Sequence, residues 1–165
     1  MIYKYLTGLI VLFSAIYITA FTGCNTTTMK QTDPQYFAFR LKPGEDLQAG
    51  IEKIVKEKNI SAGWVATCVG SLTDYSIRYA NQPAAATGTG HFEIVSLVGT
   101  ISTNGSHLHI SISDSAGKTI GGHLMPGCKV YTTAEIVLQS AATLEFTREN
   151  DGTTPWKELQ VREKK

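Results

Sequence analysis

What this chain has little of narrows the field first. Its 165 residues include only three cysteines, Cys24, Cys68 and Cys128, and their spacing fits no zinc-ribbon pattern. Charged residues make up 18% of the chain, the net charge is +1 at pH 7, and no polybasic run occurs. Nothing in that balance calls for nucleic acid or an acidic membrane surface. No Gly-x-Ser-x-Gly elbow accompanies Ser111, Ser113 and Asp114, which removes the serine-nucleophile reading. The 15 glycines are scattered and form no phosphate loop. Cys128 has no electropositive neighbour beyond Lys129 to lower its pKa, so it is no ready nucleophile. There is no internal repeat and no low-complexity block, and the length is that of one domain.

The uncharged apolar run is confined to the front. Lys4 precedes residues 6–21 (LTGLIVLFSAIYITAF), and Thr22-Gly23-Cys24 and a polar tract follow. A positive residue, an apolar core and small residues in that order read as a secretory signal. The run is short for a membrane span of ~20 residues, though an uncleaved anchor is the alternative. Thr-Gly-Cys resembles the bacterial lipobox, with Phe21 departing from the usual aliphatic residue. The resulting division is residues 1–23 as signal peptide, 24–35 as a tether lipidated at Cys24, and 36–162 as the domain. The expected place is the bacterial cell envelope, anchored to the membrane by lipid. In that compartment Cys68 and Cys128 can form a disulfide. Cys68 lies in an apolar run where a free thiol behaves as a small hydrophobe, which favours two unpaired thiols.

Within the domain, residues 36–42 (YFAFRLK) read as a strand, broken by Pro43-Gly44. Glu45-Asp46 then open an amphipathic helix in which Leu47, Ile51, Ile54 and Val55 share one face. Gly50 inside it allows close packing on a sheet. Residues 63–69 and 75–80 read as two strands separated at Gly70-Ser71, and 81–90 as a loop. Residues 91–103 are a long strand, Asn104-Gly105 is a hairpin signal, and 107–113 form the returning arm. Residues 130–139 and 142–148 are further strands, with a short terminal one near 159–161. The fold class expected is α+β, a mainly antiparallel sheet with one principal helix packed on it.

The returning arm carries the chemistry. His107 and His109 alternate with Leu108 and Ile110, so both imidazoles project from one face, with α-carbons ~6.5–7 Å apart. Such a pair can converge on one ion at ~2.0–2.1 Å. A third histidine, His123, follows Gly121-Gly122, where a tight turn and a close backbone approach are expected. The alternative is a polar strand face whose imidazoles hydrogen-bond locally. His91 reads as a solvated strand start. Glu93 and Glu135 are carboxylates on otherwise apolar strands, and Arg78 is the natural counter-ion for one of them or a contact for a ligand. A structural ion pair or a subunit contact is one role for these carboxylates; general base beside a metal-bound water is the other.

The segments PGEDL (43–47), CVGSL (68–72), IRYA (77–80), GHFEIVSLVGT (90–100), HLHISISD (107–114), GGH (121–123) and VYTTAEIV (130–137) occur in that order. Together they resemble the plants-and-prokaryotes conserved domain, or PPC domain, of the stand-alone bacterial type. The likeness spans roughly residues 37–161. It implies a compact α+β fold, a homotrimer and, for some prokaryotic members, a metal held by the histidines of HLH and GGH, here His107, His109 and His123. No Arg-Gly-Arg-Pro AT-hook is present, and His91 stands where plant members have arginine, so DNA binding by family analogy is not expected.

The first functional expectation is an exported, membrane-tethered trimer binding a metal ion or small ligand at the histidine cluster. The alternative is a zinc-dependent hydrolase of a small substrate at the same site. Three imidazoles leave an open position for water, the layout of a catalytic zinc site. Zinc suits imidazole, with nickel and copper as alternatives.

Overall fold

The computed structural model describes residues 33–165, so the signal segment, Cys24 and nearly all of the tether lie outside the described residues. The chain runs β1 (Pro34–Leu41), α1 (Leu47–Glu57), β2 (Ala62–Arg78), β3 (Ala86–Ser102), β4 (Gly105–Ser113), β5 (Thr119–Leu124), β6 (Lys129–Ala141), β7 (Leu144–Glu149) and β8 (Glu158–Glu163). Six strands form one sheet in the order β1-β6-β2-β3-β4-β5, and β5 also pairs with β2. Strands β2 to β5 therefore close into a ring, with β6 and β1 extending it from β2. Strands β7 and β8 make a separate two-stranded sheet. Every strand pairing among the described residues is antiparallel. With one 11-residue helix beside eight strands, the fold is more β than the expected α+β balance.

Residue chemistry explains α1 directly. Asp46 is the N-cap, its side chain accepting from the Ala49 amide at 3.0 Å. Its other carboxylate oxygen accepts the Gly127 amide at 2.8 Å and meets Lys129 Nζ at 3.6 Å, tying the helix start to β6. Leu47 and Ile51 are fully buried on the inner face. They join Leu72, Ile77, Ile112 and Leu138 in the main core, where each such side chain contributes about 1.5–3 kcal/mol. A smaller cluster of Ala62, Ala141, Leu144 and Phe146 seats the β7–β8 hairpin. Among the described residues no helix is long and apolar enough to cross a membrane.

Four details depart from the sequence reading. Residues 63–69 and 75–80 belong to one 17-residue strand, β2. The Gly70-Ser71 signal marks a bulge, not a turn: Gly70 has φ +153, and a Cβ there would stand 2.1 Å from the Thr133 carbonyl. The loop after β2 is shorter than expected, since Ala86 already pairs with Ile77. The β3–β4 turn sits on Thr103 and Asn104, because Ser102 pairs with Gly105. The Asn104 side chain is drawn outward to bond both the amide and the carbonyl of Arg148 in β7. Finally, Gly121-Gly122 lies inside strand β5 and makes no turn. Cys68 and Cys128 are buried free thiols.

Candidate metal centre

Strand β4 sorts its residues by face. Leu108, Ile110 and Ile112 are buried, while His107 is half-buried and His109 exposed on the other side. Strand β5 supplies the third imidazole by register, since His123 stands directly opposite His109. On its other edge His123 is opposite Arg78 of β2. A Cβ on Gly122 would lie 2.5 Å from the Arg78 carbonyl, so glycine there allows β5 to close onto β2. The glycine pair thus positions His123 by close strand approach rather than by bending the chain.

The three rings meet at one point. Their centroids are 4.4–4.9 Å apart, with His107 and His123 stacked at 15° and His109 edge-on to both. His107 Nε2 and His109 Nε2 are 3.1 Å apart, and one nitrogen from each histidine lies within 4.8 Å of the others. Tetrahedral bonds of ~2.0–2.1 Å need nitrogens about 3.3 Å apart, so small ring rotations bring this set onto one ion. Burial, then the Arg78 charge, pushes the His123 pKa down to about 4. Burial and then Arg148 lower His107 as well. Both rings are therefore neutral at pH 7, the form that ligates a metal.

The sequence-named carboxylates are not part of this cluster. Glu93 is exposed and paired with Ser113, four residues beyond His109 on β4, a separation of ~13 Å along the strand. Glu135 is exposed on β6, opposite Arg40. Arg78 forms an ion pair with neither of them: its Nη1 donates to the Gln82 carbonyl at 3.5 Å, and its guanidinium lies over the Trp156 ring at 5.9 Å. The cause is topological, since β2 delivers Arg78 to the β5 edge, beside the histidines. His91 stacks on Tyr131 at 4.2 Å, apart from the cluster.

His107 and His123 open into a pocket of about 720 Å³ whose opposite wall comes from the β7–β8 hairpin. That wall brings Arg148, Trp156, Lys157 and Glu158, none of which the sequence reading singled out. Glu158 is the carboxylate lining this pocket, and its Oε1 accepts the Thr154 hydroxyl at 2.5 Å. No local spacing marks these residues, because it takes both the pairing of β7 with β8 and the docking of β7 on Thr103 and Asn104 to bring them beside the histidines.

Residues 29–142 match the profile of the Plants and Prokaryotes Conserved (PCC) domain. The chain belongs to that family. Among known proteins, the bifunctional protein GlmU of two Synechococcus strains is 39% identical over 125 residues, 76% of this chain. The PCC chain spans about a fifth (20%) of the length of those curated relatives. A hypothetical protein of Salmonella cholerae-suis superposes with TM-score 0.80 at 39% identity, covering 81% of this chain and 97% of its own. A metal-containing protein of Archaeoglobus fulgidus superposes with TM-score 0.67 at 25% identity, covering 80% and 99%. The profile match to the PCC domain ends before β7, so the pocket's hairpin wall lies beyond the matched region.

Proposed function

We propose that this PCC-domain protein binds one divalent transition ion, zinc by preference, through His107, His109 and His123. The observation that carries this reading is the convergence of three imidazole nitrogens within 4.8 Å, two of the rings held neutral. A metal-containing structural relative at 25% identity supports it. The reading includes export by the N-terminal segment, lipid attachment at Cys24 and assembly as a homotrimer in the cell envelope. Exposed Val69, Val95 and Val98 support a subunit contact, and Val98 is opposite His109. The test is elemental analysis of the purified chain after zinc loading and dialysis. About one zinc per chain is expected, and its loss in His107→Ala; equal zinc in the variant overturns the reading.

A second reading, zinc-dependent hydrolysis of a small substrate, is favoured by Glu158 facing the same pocket. Zinc on three imidazoles supplies a Lewis acid and brings a bound water toward pKa ~7. Glu158 would accept the proton, a role its distance denies to Glu93. Metal-dependent ester hydrolysis that falls in Glu158→Gln but not in Glu93→Gln supports this; equal rates in wild type and Glu158→Gln refute it.

A further inference from the structure

The pocket beside the histidines has a charge that the described residues leave unbalanced. Arg78 enters from the end of β2 and Arg148 from β7. Among the described residues neither guanidinium has a carboxylate within 4.0 Å, although the chain pairs Arg162 with Glu149 at 2.9 Å and Lys129 with Asp46 at 3.6 Å. Arg148 Nη2 donates to the Lys157 carbonyl at 2.9 Å, which fixes the side chain without neutralising it. With Lys157 added and Glu158 subtracted, the lining carries two net positive charges, where the whole protein carries one. Two guanidinium groups lining one space favour an anion there, and their planar forks suit tetrahedral or planar oxyanions.

The size of the imbalance selects among anions. A carboxylate offsets one charge, whereas the dianion of a phosphate monoester offsets both. The rim adds an apolar surface: Trp156 is 66% exposed, and Arg78 covers its ring at 5.9 Å. An exposed indole at a cationic pocket fits the organic part of a ligand.

We infer that this pocket binds a small phosphate monoester, its phosphate between Arg78 and Arg148 and its organic part against Trp156, next to the histidine cluster. The inference deepens the metal reading, on which it rests for placing the phosphate beside the ion, but the cations belong to the chain itself.

Calorimetric titration of the full chain with phenyl phosphate, inorganic phosphate and phenol, with and without zinc, tests it. Phenyl phosphate is expected to bind most tightly and phenol not measurably. Arg78→Gln and Arg148→Gln are each expected to weaken phenyl phosphate by about tenfold or more, as befits a lost charge-assisted contact. Circular dichroism of each variant checks the fold, and Lys157→Gln, at an exposed position, gives a second, fold-independent reading with a smaller loss. Zinc binding without phenyl phosphate binding overturns the inference and leaves the metal reading standing. So does phenyl phosphate affinity unchanged in both arginine variants. Arginine-dependent binding in a protein that takes no zinc sustains the phosphate pocket and removes the metal.

Discussion

Residue by residue, the protein separates reactive from inert groups by where each side chain is held. The two described cysteines are inert. Burial pushes the Cys68 thiol up to about 12, and burial pushes Cys128 to about 11 against the Ser76 hydrogen bond that lowers it. Raised native pKa values mean that both thiols favour the protonated form when folded. The stability they confer is complete below the unfolded value of 9.0 and is lost as pH rises from there toward 11–12. Thermal unfolding followed from pH 8 upward should show that decline, and Cys68→Ser should flatten it; an unchanged profile contradicts the assignment. The same sorting was partly legible in the sequence. His107 and His109 were readable as a pair because strand alternation dictates their common face. Arg78 was readable as an ion-pair or ligand candidate but without its neighbours, and Arg148 and Glu158 were not readable, because their meeting depends on how the strands pack.

Among the elements, β5 carries the third ligand: its register on β4 sets His123 opposite His109, and its closure onto β2 holds it beside Arg78. The Ile77–Leu124 and Arg78–His123 pairs make that seam, continued by the Met125 amide donating to the Ser76 carbonyl at 3.1 Å, and Gly122 permits it. Gly122→Ala puts a methyl carbon 2.5 Å from the Arg78 carbonyl, an overpacking expected to cost about 1–3 kcal/mol. Denaturant melts should shift accordingly and zinc affinity should drop together with stability. A variant with native stability and native zinc affinity would show that the seam does not hold His123. The helix, the two arms of the β3–β4 hairpin and strands β6, β7 and β8 were legible from periodicity and turn chemistry, whereas β5 was not. The unbroken β2 was not, since Gly70-Ser71 carries the letters of a turn while the chain uses the glycine for a bulge against Thr133. Gly121-Gly122 misled for a related reason: glycine marks close backbone approach as readily as a turn.

For the whole molecule, the closed ring of β2 to β5 holds the histidines, and the β7–β8 hairpin converts their surface into a pocket. Val69 of β2 and Val95 and Val98 of β3 then give the domain an apolar face that is exposed among the described residues. Sedimentation equilibrium of the full chain in detergent should return three times the chain mass, with Val98→Asp shifting it to monomer; a monomeric wild type contradicts the trimer. Such a face could be expected from the family likeness but not from the letters, because exposure is a property of the finished sheet. The central claim, a single ion on three imidazoles, is tested most directly by X-ray absorption spectroscopy at the zinc edge of the loaded protein. The account predicts three imidazole nitrogens and one oxygen at ~2.0–2.1 Å. A spectrum dominated by sulfur at ~2.3 Å, or one without imidazole scattering, would contradict it.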